Sequence, residues 1–539
     1  MRRMMEQKTG HQVDIFDTTL RDGAQTEAIS YSAEDKLRIA LRLDAFGIAF
    51  IEAGWPGSNP KDEEFFARAK DEAFERSELV AFGSTRRKDL TPEDDANLEA
   101  LLAAGTRVCS VVGKTWSLHV TEVLKTTYDE NLRMIEDSVA FLQAQGRRVI
   151  YDAEHFFDGY RADADYALAT LEAAQRGGAE VLVLCDTNGG SLPWDVEEIM
   201  RRVRSTVNIP LGIHGHDDAG LAVANTLAAV RAGATQVQGT INGFGERCGN
   251  ANLCAAIPDL ELKLGVRCVG RTALEGLSDL AHYVAEVANV ALPDQMPYVG
   301  RSAFAHKGGI HVAAMRRNQD SYQHVDPARV GNAMRVVVSD LSGRGNLLSK
   351  AEELGLETEA GLDTVLHRIK DLEAQGFAFE AAEASVALMM KRQGRGYRRP
   401  FEPVDHTVVV ENRGGKHLAQ AMVKIDVQGR RLHTAAEGDG PVDALDRALR
   451  RALTEAYPET EQFHLFDYKV RILDGESSTA AITRVLIDTR CGDKTWSTVG
   501  ASKSIIQASW TALLDGYEYG LWMHAFREAP SAERVREEA

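Results

Sequence analysis

From residue 13 to residue 240 the chain alternates between two hydrophobic rhythms. Short runs of β-branched and aliphatic residues recur: VDIFDTT (13–19), AFIEAG (49–54), LVAFG (79–83), VCSVV (108–112), VIYDA (149–153), VLVLC (181–185), PLGIH (210–214) and QVQGT (236–240). Between them lie longer stretches with the three-to-four-residue apolar spacing of helices that bury one side. SAEDKLRIALRLDAFG (32–47), opened by a serine cap and closed by glycine, and DYALATLEAAQRGG (165–178) are examples. Eight strand–helix repeats over this length predict an α/β fold of the TIM, or (β/α)8, class. A doubly wound open sheet has the same periodicity and is the alternative, because spacing does not report closure.

In such a barrel the loops that follow the strands share one mouth. Here those loops are polar: LRDGAQ (20–25), GWPGSN (54–59), STRRK (84–88), DAEHF (152–156), CDTNGG (185–190), HGHDD (214–218) and NGFGERCGN (242–250). Residues 270–395 read as helical and polar, most clearly AEELGLETEAGLDTVLHRIKDLEAQG (351–376). The basic, breaker-rich RQGRGYRRP (392–400) reads as a boundary. Beyond it, AMVKIDVQGRRLHTAAEGDGPVDALDRAL (421–449) and TRVLIDTRCGDKTWSTVGASKSIIQASWTAL (483–513) share one layout of strand, turn, strand, glycine and helix. That internal repeat predicts an α+β domain with two ββα halves about a pseudo-twofold axis. The expected organisation is a barrel over 1–275, helical linker subdomains over 276–400, the repeated C-terminal domain over 401–527 and a solvated tail over 528–539.

With 539 residues the chain is too long for one core, and its 44% hydrophobic and 26% charged residues are those of a globular protein. A net charge of −18 argues against a nucleic-acid partner held by the overall field. Six cysteines without a CxxC pair fit a reducing compartment. MRRMMEQKTG at the start lacks the apolar core of a secretory signal, and no apolar run reaches about 18 residues. The expectation is a cytoplasmic protein with no membrane partner.

The stretch with the most chemistry is IHGHDDAG (213–220). Alternate side chains of a strand share a face, so His214 and His216 point the same way. Two such imidazoles either hold one metal ion or sit as polar groups at a solvated strand end. A barrel would carry Asp22, just past the first strand, to meet them. One carboxylate and two imidazoles leave coordination positions open and admit Mg²⁺, Mn²⁺, Zn²⁺ or Co²⁺ without choosing among them. Asn250 is a further oxygen donor or a cap beside Gly249. Arg21 either stabilises negative charge on a metal-bound carbonyl or forms a surface or intersubunit ion pair. Glu154 ends an apolar strand, where an unpaired carboxylate is costly. Thr187 either donates to a substrate carboxylate or closes a local turn.

DTTLRDGAQ (17–25) together with HGHDDAGLAVANTLAAVRAGATQVQGTINGFGERCGN (214–250) resembles the two signature regions of the α-isopropylmalate, homocitrate and citramalate synthase family. That family uses divalent-metal barrels to condense acetyl-CoA with a 2-oxo acid. The resemblance covers about residues 13–525, because the repeated unit is similar to the family's dimeric allosteric domain. GWPGSNPKDEEFF (54–66) resembles the citramalate-forming branch, which implies pyruvate as the 2-oxo acid and a place in isoleucine biosynthesis. Carried over by position, the resemblance implies metal ligands Asp22, His214 and His216 with Asn250 as a fourth, Arg21 and Glu154 at the reacting centre, and Arg21, Gln25 and Thr187 on the substrate. AFAHKGGIHVAAM (303–315) resembles the segment that supplies a catalytic histidine to the partner subunit, aligned with His311 and with His306 as the alternative. Tyr322 falls near a second contributed residue. A homodimer and an amino-acid effector at the C-terminal domain are also implied, isoleucine first, leucine or none otherwise. Ala24 departs from the glutamate frequent in the family. Formation of 2-isopropylmalate or homocitrate, and cleavage of a hydroxyacyl-CoA or a 4-hydroxy-2-oxo acid by a metal-dependent lyase, are the alternatives on the same barrel.

Overall fold

The computed structural model describes residues 12–356, 361–394, 396–473 and 481–528; the expected tail from 529 onward lies outside them. The chain forms two compact units, one made of residues up to Phe304 with Val325–Ala333, the other of Ala305–His324 with the chain from Met334.

In the first unit the eight sequence-predicted runs are β1 (Asp14–Asp17), β2 (Phe50–Gly54), β3 (Glu78–Ser84), β4 (Val108–Lys114), β5 (Arg148–Glu154), β6 (Val181–Asp186), β7 (Leu211–Gly215) and β8 (Gln236–Gly239). All pair in parallel in sequence order, and β1 pairs with β8, so the sheet is a closed barrel rather than an open doubly wound one. The helices between them start and stop on local signals. Ala33–Phe46 opens on a reciprocal Ser32–Asp35 capping box and ends on left-handed Gly47.

The two-residue period of each strand sorts its side chains. Ile15, Ile51, Ala81, Cys109, Val149, Leu182, Ile213 and Val237 face outward into the layer shared with the helices. Phe16, Phe50, Val80, Val108, Ile150, Val181, Val183 and Cys185 form a separate cluster inside the barrel. Two residues further along the same inner faces come Glu52, Ser110 and Asp152, and His214 and Gln238 take the inner faces of β7 and β8; all five are buried. The lumen therefore changes from apolar to polar toward the C-terminal ends of the strands.

The chain leaving β8 turns back on itself. Thr240 donates its backbone N–H to Ala251 O at 3.1 Å, Leu253 donates to Thr240 O at 2.9 Å, and Asn250 forms a backbone bridge with His216. Gly239 makes this return possible: a Cβ there would lie 2.4 Å from the Ala251 carbonyl oxygen.

The second unit departs from expectation in three places. The amphipathic run 351–376 is not one segment but parts of two helices, Arg344–Glu353 and Leu362–Ala374. The largely helical 270–395 region also contains two paired two-residue strands, β9 (Ala305–His306) and β10 (Arg335–Val336). Each half of the repeat has one more strand than the ββα reading allowed. The first runs β11 (Phe401–Arg413), β12 (Lys416–Val427), β13 (Arg430–Gly438) and helix Pro441–Leu453. The second runs β14 (His464–Ile472), β15 (Thr483–Cys491), β16 (Lys494–Ser502) and helix Ile505–Glu528. The extra strands β11 and β14 are sheet edges. They leave Val409, Val410, Phe466, Val470 and Ile472 exposed, so they lack the one-sided burial that marks a strand in sequence.

At the expected boundary Arg392, Tyr397 and Arg399 are tied to the long helix Ile505–Glu528. Arg392 and Arg399 each donate to Glu518 Oε2 at 2.6 Å, and Tyr397 donates to its other oxygen at 2.9 Å, so the buried Glu518 is fully paired. Among the described residues no helix is long and apolar enough to cross a membrane.

Replacing Gly239 by Ala should destabilise the barrel by about 1–3 kcal/mol, the usual range for overpacking. The check is the urea midpoint followed by barrel fluorescence; an unmoved midpoint would mean that the β8 return is looser than described.

Candidate active site

The β1 exit brings Arg21 and Asp22 over the barrel mouth. Thr18 Oγ1 accepts the Asp22 backbone N–H at 3.3 Å and donates to Glu52 Oε2 at 2.5 Å. The same Glu52 oxygen accepts Arg21 Nε at 2.7 Å, and the Arg21 guanidinium lies 3.9 Å from the centre of the Phe82 ring. Arg21 is thus clamped between a buried carboxylate and an aromatic face, not placed in the surface or intersubunit ion pair that was its other reading.

Asp22 Oδ2 lies 3.2 Å from His214 Nε2 and 3.8 Å from His216 Nε2, and the two imidazole nitrogens are 3.3 Å apart. All three residues are buried. Burial opposes the ionised Asp22 carboxyl, but the Arg21 charge and both imidazoles outweigh it and hold the group well below the usual carboxylate range. At His214 burial disfavours the imidazolium, yet the Asp22 contact dominates and pushes the ring up. Burial and the neighbouring His214 bring His216 down to about 4.

Three electron-pair donors thus converge within 4.8 Å of one another, the separation a single divalent cation spans. Asn250 Oδ1 is buried with no hydrogen-bond partner while its Nδ2 donates to Phe244 O at 3.3 Å. The mixed O/N set and the orphaned oxygen fit a metal ion.

The remaining expected residues separate into two groups. Glu154 lies on the wall of the same cavity, of about 690 Å³, with Arg21, Asp22, Gln25, Thr187, His214 and His216. It is not unpaired, because Lys114 from the neighbouring strand forms an ion pair with it. Thr187 Oγ1 accepts the His155 backbone N–H at 2.9 Å, which leaves the hydroxyl proton free to donate. His306, His311 and Tyr322 belong to the second unit. There the exposed His311 ring stacks on Tyr322 at 4.2 Å, and His306 Nε2 is buried without a partner.

Several residues in or directly behind the cavity wall escaped the sequence reading. Glu52 sits in AFIEAG as a charge inside a fully buried strand, the same signal that singled out Glu154. Asp152 and Gln238 follow from the alternation that pairs the two histidines. Phe82 and Lys114 carry no such mark. Of STRRK, Arg86 is structural, bound to Glu130 and Asp137, while Arg87 and Lys88 edge the cavity. Burial pushes Asp152 up to about 6, with Glu52 adding to the effect, and pushes the Cys185 thiol on the same wall far above its ordinary value.

Comparison with known proteins matches residues 12–284 to an HMGL-like family model, 298–376 to a homocitrate synthase post-HMGL domain-like model and 380–521 to the LeuA allosteric (dimerisation) domain. The (R)-citramalate synthase of Synechocystis sp. is 54% identical over 525 residues, covering 94% of this chain and 96% of its own. That of Geobacter sulfurreducens is 51% identical over 514 residues, with 94% and 97% covered. A probable 2-isopropylmalate synthase of Methanopyrus kandleri is 32% identical over 506 residues, with 94% and 97% covered.

Two outcomes test the cluster. His216→Ala and Asp22→Asn should each lower Mn²⁺ affinity at least tenfold in equilibrium dialysis, since each removes a ligand. His214 must shed a proton before its Nε2 can bind, and the Asp22 contact raises its proton affinity above that of a free imidazole, so apparent affinity should climb as pH rises from neutral into the alkaline range, by up to tenfold per unit. A flat profile there would contradict the role given to His214.

Proposed function

This chain belongs to the (R)-citramalate synthases, HMGL-like barrel enzymes with a LeuA-type C-terminal domain, and on that premise we propose how its barrel mouth carries the condensation of acetyl-CoA with pyruvate and water to (R)-citramalate and free CoA. The carrying observation is the convergence of Asp22, His214 and His216 beside a clamped Arg21. Asp22, His214 and His216, with Asn250 Oδ1 as a fourth donor, would hold a divalent cation, which when bound would supply Lewis-acid polarisation of the keto group.

Arg21, fixed by Glu52 and Phe82, presents a cation to the oxygen that becomes an alkoxide when the new carbon–carbon bond forms. Thr187, its hydroxyl proton uncommitted, and Gln25 donate to the pyruvate carboxylate. Glu154, oriented by Lys114, works with His311 of the partner subunit to take a proton from the thioester methyl. His306 is the alternative to His311, and Tyr322 is the second residue given by the partner. Water then cleaves the thioester and CoA leaves as a thiol. Trp55, Phe82, Val112 and Cys185 line the cavity with apolar surface suited to a short side chain. A larger 2-oxo acid is then disfavoured by roughly 1–3 kcal/mol per methylene, so selection is graded rather than absolute.

Dimerisation is supported by the LeuA-type match and by the exposed Val410, Phe466 and Ile472 on the edge strands. The effector of that domain is isoleucine, whose biosynthesis (R)-citramalate feeds.

Thiol release from acetyl-CoA, measured over pyruvate, 2-oxoisovalerate and 2-oxoglutarate, should require added metal and run fastest with pyruvate. Equal rates with 2-oxoisovalerate would shift the reading toward 2-isopropylmalate. Isoleucine should slow the enzyme more than leucine does; if neither amino acid changes the rate or the melting temperature, the regulatory reading fails.

A further inference from the structure

Inside the barrel a line of buried polar groups ends at a metal-facing imidazole. Ser110 Oγ donates to Asp152 Oδ2 at 2.6 Å, Gln238 Nε2 donates to Asp152 Oδ1 at 3.0 Å, and Gln238 Oε1 lies 2.9 Å from His214 Nδ1. Ser110 and Gln238 are fully buried and Asp152 nearly so. No other polar side chain contacts the His214 Nδ1 edge among the described residues.

The order of donors in this line has one consequence for His214. An ionised carboxylate only accepts, so Asp152 requires the amide nitrogen of Gln238 on its side. That fixes the amide oxygen toward His214, and an oxygen there requires the proton on Nδ1. The lone pair of the neutral ring is then on Nε2, the atom directed at Asp22 and His216. Were the amide reversed, its NH₂ would face Nδ1, the proton would move to Nε2, and the ring could not bind a cation there.

We infer that Gln238, held by Asp152 and Ser110, is the positioning residue that sets the His214 tautomer and so the affinity of the Asp22–His214–His216 centre. The inference rests on the reading of that cluster as a metal site. Removing an outer partner of a ligating histidine typically costs 10- to 100-fold in metal affinity. Gln236 lies two residues earlier on the same strand face, buried, with its Oε1 unbonded. It is the matched control, of the same residue type, strand and burial but without contact to a ligand.

The test titrates metal-stripped protein with Mn²⁺ by calorimetry for the parent, Gln238→Met and Gln236→Met, with melting temperatures alongside. Gln238→Met should bind Mn²⁺ about 10- to 100-fold more weakly, and excess Mn²⁺ should restore most of kcat. Gln236→Met should bind as the parent does. ¹⁵N spectra of the metal-free protein, recorded at a pH high enough to neutralise the ring, should report Nδ1–H at His214 in the parent and a mixture of tautomers in Gln238→Met. Should Gln238→Met fail to fold, Asp152→Asn keeps the volume and frees the amide to turn, and it should weaken binding several-fold. Parent affinity in a folded Gln238→Met or Asp152→Asn protein overturns the inference and leaves the metal site standing. A parent that binds no Mn²⁺ removes the site, and the inference with it.

Discussion

A parallel barrel forces alternate residues of each strand into a lumen that water does not fill, and every charge sent there must find its partner inside. That constraint organises the mouth of this barrel. Glu52 is buried outright and is met by Arg21 and Thr18. Arg21 in turn stands beside Asp22, and Asp22 beside two imidazoles. Each group is tolerable only because the next one is present, since an isolated buried charge costs several kcal/mol. The result is a set of side chains whose positions are fixed before any substrate arrives, the condition for stabilising charge that develops later.

Much of this was legible in the sequence because the same periodicity that builds a strand also selects its inner face. The eight strands fall within a residue or two of their runs, and the spacing of His214 and His216 was enough to place both on one side. Closure was not legible, because the β1–β8 pairing is a contact between residues more than two hundred positions apart. The acid–base partners of the site were hidden for a related reason. Lys114 looks unremarkable alone and becomes meaningful only when the neighbouring strand sets it beside Glu154, and the partners of Glu52, Asp152 and Gln238 come likewise from other strands. Glu154 shows the limit of reading one strand at a time, for its charge was read as unpaired while its partner sat one strand away.

The second unit shows the opposite difficulty. Its repeat was visible, yet the first strand of each half was missed, because edge strands with exposed apolar residues lack a clean inner and outer face. The basic run 392–400 read as a boundary from composition alone, with no hint of what its arginines bind. Its arginines neutralise Glu518, a carboxylate buried in the long terminal helix that no local pattern announces.

Cys185 gives the cavity wall a sulfur atom in an enzyme whose acetyl donor is itself a thioester. A thiolate at that point could accept the acyl group by exchange and leave the protein modified at its own centre. Burial among Asp152, Glu154 and Asp22 keeps the sulfur protonated and therefore poorly nucleophilic. The acyl group is thereby left to bond formation at its methyl carbon, and the sulfur remains a bystander to the chemistry beside it.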